Sequence, residues 1–310
     1  MVHHSAQILA VDDGHTIHTQ LWQPDSNCAA IIQVVHGLGE HADRYARFAA
    51  AAVERGYAVC AHDNRGHGRH AEHPGYFALT KGWDRVVDDV DVVNRHVGQT
   101  FPGVPVVLLG HSMGSYIAQN FAMYHDARLA GMILSASTWP SKLKLLPAFV
   151  IAHIEAWRLG ASANSRLLHK LGFSDFNKPF TPARTDLDWL TRDENEVDKY
   201  IADPLCGGPY TCGLWRDLFG GLLKIYSDNS LRRISSDLPI LITGGELDAV
   251  GGDKGMGRLA IHYAQTLHSR LKVRIYPEGR HEMLNETNRD EVTRDWLDWI
   301  DATTGNSRSG

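Results

Sequence analysis

The chain has 310 residues, 43% hydrophobic and 22% charged, with a formal net charge of -5 and no basic block. That length can bury one sizeable core, or a core with an inserted subdomain, and the charge balance argues against nucleic acid as a partner. No run approaches the ~20 apolar residues that span a bilayer.

Residues 7–11 and 16–22 flank Asp12-Asp13-Gly14, a hairpin signal. Residues 29–35 read as a buried strand. Residues 43–55 carry apolar side chains at helical spacing, with Asp43 as N-cap and Gly56 as stop. A strand over 58–61 and a helix over 83–97 follow. Residues 104–109 have the density of a strand buried on both faces, and they lead into a helix over 116–124 and a strand over 131–135. From about Thr138 to Asp237 there are helical patterns and loops but no convincing strand. The alternation resumes with a strand at 239–243, a helix at 255–269, a strand at 271–276 and a helix at 288–301.

Strands alternating with helices predict an α/β fold, a mainly parallel sheet with helices on both faces. The break predicts a helical insertion. The expected organisation is a core at 1–137, a helical cap at 138–237, the rest of the core at 238–303, and a small polar tail at 304–310 expected to be disordered. Cys28, Cys60, Cys206 and Cys212 show neither C-x-x-C pairing nor metal spacing. Reduced thiols in a cytoplasmic setting are the simplest reading, and the polar start Met1-Val2-His3-His4-Ser5 has no apolar signal-peptide core.

The chemistry centres on Gly110-His111-Ser112-Met113-Gly114, a G-x-S-x-G between a buried strand and an apolar helix. That context is a nucleophile elbow, in which a tight turn pushes the serine hydroxyl clear of the sheet. A serine needs a base, and the base a carboxylate that orients it. In an open α/β sheet such groups gather at the carboxyl ends of strands. The loop after residue 243 offers Asp248, with Glu246 as its rival. The loop after residue 276 offers His281, whereas His262 and His268 fall within a predicted helix and His125 ends one. The order Ser112, Asp248, His281 is the one expected for this fold. Two donors must face the developing oxyanion. One is the N–H of Met113. The candidate for the other is the N–H of Leu38, in the glycine-containing loop Val35-His36-Gly37-Leu38-Gly39-Glu40-His41, which the His36 side chain is expected to brace.

His36-Gly37-Leu38-Gly39-Glu40-His41, Asp63-Asn64-Arg65-Gly66-His67-Gly68 and the serine elbow together resemble the monoacylglycerol lipase and lysophospholipase-like branch of the α/β-hydrolases, a serine aminopeptidase S33 group. The likeness extends to Glu196-Val197-Asp198-Lys199-Tyr200, Asp203-Pro204-Leu205-Cys206 and Arg280-His281-Glu282-Met283-Leu284-Asn285-Glu286. It implies an eight-stranded sheet, a cap between strands six and seven, no metal or organic cofactor, and Asp248 rather than Glu246 as the acid. It also implies cleavage of single-chain lipid esters such as monoacylglycerol or lysophospholipid. Residues 162–185 match nothing that can be carried across. Leu38 stands where small residues are frequent.

Other features carry competing readings. His62, His67, His70 and His73 cluster near Asp63 without a zinc spacing. Asp63 and Arg65 are expected to form an ion pair beneath the oxyanion loop. Residues 143–159 are unusually apolar, which suits packing of the cap, an acyl tunnel around Leu145, Phe149 and Ile154, or transient contact with a membrane surface. Tyr200 is a candidate for the substrate's polar head or an ordinary buried tyrosine. Asp186, Asp188, Asp193, Glu194 and Glu196 make a proline-type aminopeptidase thinkable, since a free amine would need an acidic cluster. The same scaffold also suits a short-chain carboxylesterase or a non-catalytic ligand receptor.

Overall fold

The computed structural model of the protein describes residues 2–208, 210–227 and 229–305. Its centre is an eight-stranded sheet in the order β1-β2-β4-β3-β5-β6-β7-β8. Strands β1 (Val2–Ala10) and β2 (Thr16–Pro24) form the hairpin, with Gly14 at a φ of +85° in its turn. Strand β2 runs antiparallel to β4 (Ala58–His62). From β4 onward, β3 (Ile31–Val35), β5 (Val106–His111), β6 (Gly131–Ser135), β7 (Ile240–Gly245) and β8 (Leu271–Tyr276) pair in parallel.

The central strands are apolar throughout because both faces are covered. Ile31, Val35 and Leu108 pack toward α2 (Gly82–Thr100), α3 (Met113–His125) and α8 (Gly252–Gln265). Their alternate neighbours Ile32, Val34 and Leu109 pack toward α1 (Ala46–Glu54) and α9 (Arg289–Thr304). Between β6 and β7 the chain leaves the sheet for α4 (Lys142–Leu159), α5 (Arg166–Phe173), α6 (Glu194–Ala202) and α7 (Cys212–Ile225). No strand interrupts them among the described residues. Helix α7 returns to the core, where Trp83 lies so close to Gly221 that a Cβ there would enter the ring. These features are the expected α/β-hydrolase architecture.

Several local expectations need correction. Asp43 does not cap α1. It sits in a 3-10 turn, Ala42–Tyr45, whose first N–H is taken by the Asp63 carboxylate instead, and α1 starts only at Ala46. Asp63 therefore does not pair with Arg65, whose guanidinium is held by Asp13 and Asp89. Helix α3 begins three residues earlier than its periodicity suggests, at Met113. The expected tail loses its first residue to α9, where the Thr304 hydroxyl bonds the Ile300 carbonyl; residues 306–310 lie outside the described set.

Candidate active site

Ser112 joins β5 to α3 at φ 50°, ψ -119°, a left-handed conformation that only a tightly surrounded turn can enforce on a side-chain-bearing residue. Two glycines make that possible. A Cβ on Gly110 would lie 2.6 Å from the Cα of Ser115, and one on Gly114 would enter the backbone carbonyls of Val35 and His36. The Ser112 N–H donates to the Ser135 carbonyl at 2.9 Å, which anchors the turn to β6.

His281, on the loop after β8, brings its Nε2 to 3.0 Å from Ser112 Oγ. Its Nδ1–H donates to Asp248 Oδ1 at 2.8 Å, and the same oxygen accepts the Val250 N–H at 2.9 Å. His281 and Asp248 are both buried. Burial alone would push the imidazole pKa below its ordinary 6.5. The Asp248 charge and hydrogen bond, with Glu282 and Glu40 beyond, outweigh it and hold the value above 6.5. Glu246 turns away, is exposed, and accepts the Glu278 N–H at 3.1 Å. Of the rival histidines, His262 stacks on Trp139 with ring centroids 3.5 Å apart.

The loop after β3 lies against Ser112: a Cβ on Gly37 would stand 3.3 Å from the serine Cβ. His36 braces it. Its Nδ1–H donates to the Gly37 carbonyl at 2.7 Å and its Nε2 accepts the Asn64 N–H at 2.9 Å. Burial, with His67 nearby, holds the His36 pKa well below the ordinary value, so the ring stays neutral. Gly37 N–H donates to Glu40 at 2.6 Å. The Leu38 N–H donates to no acceptor among the described residues, and Met113 is the first residue of α3, where an N–H has no partner one turn back.

These groups open onto a cavity of about 970 Å³ at the carboxyl ends of the strands, roofed by the cap. Leu145, Leu187, Leu218, Phe219 and Leu222 supply much of its apolar wall. Phe149 is not on that wall. It packs on His153 with centroids 4.2 Å apart and comes within 3.3 Å of a Cβ built on Gly220 in α7. Ile154 points outward, 51% exposed. Tyr200 lines the cavity, but its hydroxyl is spent on the oxyanion loop: it donates to Gly39 O at 2.7 Å and accepts the Gly207 N–H at 3.1 Å.

Sequence reasoning missed the supports. Trp189 O accepts the His281 N–H, and Leu190 O accepts the Glu282 N–H. Glu286, fully buried, takes the Arg280 N–H and the Arg192 side chain. The one sequence signal for any of them is that Arg280, Glu282 and Glu286 fall in the stretch around His281 that resembles the lipase-like branch.

The remaining candidate clusters dissolve. His70 stacks on His18, His67 bonds the Arg65 carbonyl, and His73 packs at Tyr76. Among the described residues, the group that meets metal-ligand spacing is His41, Asp203 and Cys206. There His41 Nε2 already donates to Asp203 at 2.8 Å, and the nearby Arg44 charge opposes a cation. In the acidic stretch of the cap, Asp188, Asp193 and Glu196 are taken by Thr185, Arg289 and Arg47, and Glu194 is exposed beside Arg184.

Comparison with known proteins bears on the family and the fold. Residues 26–288 match the sequence model of the Hydrolase_4 family, described as serine aminopeptidase, S33. The monoacylglycerol lipase of Mycolicibacterium smegmatis is 28% identical over 289 residues, 93% of either chain. The monoglyceride lipase of Rattus norvegicus is 31% identical over 252 residues, 78% of this chain and 73% of that one. A thermostable carboxyl esterase from Bacillus coagulans, solved with glycerol, superposes with a TM-score of 0.89 over 98% of this chain and all of that one at 23% identity, a likeness of fold. With its elbow, its cap and its sequence all in agreement, the chain belongs to the Hydrolase_4 family of α/β-hydrolases.

Proposed function

We propose that this chain is a serine carboxylester hydrolase acting on single-acyl-chain lipid esters through an acyl-enzyme intermediate. The carrying observation is the contact chain Ser112–His281–Asp248 opening onto an apolar cavity of about 970 Å³. Ser112 Oγ attacks the ester carbonyl while His281 Nε2 takes its proton. Asp248 holds the Nδ1–H tautomer and stabilises the imidazolium. The N–H groups of Leu38 and Met113 receive the charge developing on the carbonyl oxygen. Collapse expels the alcohol, protonated by His281, and water reverses the sequence to release the fatty acid. No step calls for a cofactor.

The cavity is at the upper end of the ~300–1,000 Å³ typical of sites for one small ligand, which suits one acyl chain with a small head rather than three chains. The relatives from Mycolicibacterium smegmatis and Rattus norvegicus are monoacylglycerol and monoglyceride lipases, which supports the same class. The outward stripe of α4 adds a route to such substrates: Leu143, Leu146, Val150, Ile154 and Trp157 are exposed at helical spacing, a face suited to transient contact with a lipid surface. No described helix is long and apolar enough to cross a membrane. The aminopeptidase reading is less favoured: of the five cap carboxylates only Asp186 lines the cavity, while Asp188, Asp193 and Glu196 are engaged elsewhere.

A fluorophosphonate probe tests the mechanism. It should label wild type at the peptide carrying Ser112, and labelling should vanish in Ser112→Ala and fall sharply in His281→Ala. Labelling of another residue would refute Ser112 as the nucleophile, and no labelling would leave the receptor reading.

A further inference from the structure

One ion cluster ties two loops of the site to the cap without contacting the reacting atoms. Arg44 lies in the 3-10 turn after the oxyanion loop. Its guanidinium forks onto both oxygens of Glu282 at 2.7 Å and onto Glu40 at 3.0 Å. The other Glu40 oxygen accepts the Gly37 N–H at 2.6 Å and the Tyr45 hydroxyl at 3.0 Å. Glu282 directly follows His281 in the chain. The guanidinium also lies over the Tyr200 ring of α6, 4.9 Å from its centroid, and Tyr200 grips Gly39. A single side chain thus joins the loop bearing Leu38, the loop bearing His281, and the cap.

Stability alone is a poor reason for such a cluster, because a buried ion group of this kind is often no better than an apolar replacement. Geometry is a better one. A planar fork fixes the distance and angle between two carboxylates, which an ammonium cannot do. We infer that Arg44, by clamping Glu282 to Glu40, is a positioning residue that sets the separation of the Leu38 N–H from His281. The inference rests on the proposed roles of Ser112, His281 and Leu38. The same cluster bears on the base electrostatically. Charged and titratable groups facing His281 are Asp248 from the β7 loop, Glu282 on its own loop, Glu40 from the oxyanion loop and His111 from the elbow, with Arg44 behind the two glutamates. Burial favours protonating Glu282, but the Arg44 charge and hydrogen bonds together outweigh it and hold its carboxyl below the ordinary range, so it stays an anion beside the imidazole.

The test assays wild type, Arg44→Lys, Arg44→Ala and Glu282→Gln on p-nitrophenyl butyrate, with Ser112→Ala as blank. A wild type no faster than the blank overturns the hydrolase assignment and this inference with it; an active wild type isolates the inference. The expected result is native near-UV circular dichroism in the Arg44 variants, with kcat down about 10- to 100-fold, as for a misplacement near 1 Å, and KM changed by less than about threefold. Methylguanidinium should restore activity to Arg44→Ala and none to Ser112→Ala. In Glu282→Gln a negative charge beside His281 is lost, the imidazole pKa falls, and the acid limb of kcat/KM moves to lower pH. Should Arg44→Ala fail to fold, Arg44→Lys and Glu282→Gln decide. Folded Arg44 variants with wild-type kcat, or an unmoved acid limb with no rescue, would overturn the clamp.

Discussion

Ser112 is a strained residue in a tightly built turn. A left-handed conformation at a non-glycine residue costs on the order of 1–3 kcal/mol. Ser112→Gly should therefore abolish esterase activity yet raise the urea midpoint, by the equivalent of about 1 kcal/mol. A glycine variant less stable than wild type would show that the turn is not strained. Asp248 and Glu246 make a second comparison. Asp248→Asn favours the wrong tautomer of His281 and should lower kcat about 10⁴-fold, whereas Glu246→Gln should change it by less than about threefold. The pH sign follows from the raised His281 pKa. In the proposed mechanism the neutral imidazole is the base, so the acid limb of kcat/KM should lie above 6.5 in wild type, and residual activity in Asp248→Asn should persist to lower pH. Ser112, Asp248 and His281 were legible because each follows a strand whose apolar pattern marks it. Arg44, Glu40 and Glu282 were not: Arg44 and Glu282 are 238 positions apart, and no local pattern joins them.

Helix α4 presents apolar side chains both to the cavity and to the outside. Its amphipathic pattern is blurred because both faces are apolar, so the sequence could not say which residues line the cavity. Leu145 lines it, 5% exposed, while Phe149 and Ile154 do not. The faces should separate experimentally. Leu145→Asp should depress turnover of long-chain esters far more than of butyrate. The double variant Leu143→Asp, Trp157→Asp should leave soluble-ester kinetics alone and weaken cosedimentation with anionic phospholipid vesicles. Equal losses on all substrates in both variants would mean that α4 acts only through packing. The supports around His281 come from the cap, through Trp189 and Leu190, in a stretch whose turns and short helices carry no periodic signal.

The folded protein carries an acid liability spread over its core. His15, His36, His62, His67 and His111 all have pKa values lowered chiefly by burial, His62 to about 4. These five histidines stay neutral in the fold while the unfolded chain takes up protons below 6.5. The associated stability is thus present above 6.5 and lost as pH falls toward the folded values. His62 alone contributes on the order of 3 kcal/mol of this swing. Both its ring nitrogens lack partners among the described residues, so His62→Leu should be tolerated at pH 7 and should flatten the fall in urea midpoint between pH 7 and 5. An unchanged slope would remove His62 from the acid response. The alternating strands and helices made the sheet readable, because a strand covered on both faces must be apolar throughout. The path of the cap was not readable.

If the cavity beside Ser112 shelters one acyl chain, kcat/KM must depend on chain length. Monoacyl esters from acetate to palmitate should be assayed beside a triacylglycerol in the same detergent. Each sheltered methylene is worth ~0.8 kcal/mol, roughly fourfold in rate. The expected profile rises over several methylenes to an optimum, with monoacyl esters strongly preferred to the triacylglycerol. A flat profile, or triacylglycerol cleaved as fast as the best monoacyl ester, would refute a single-chain lipid site.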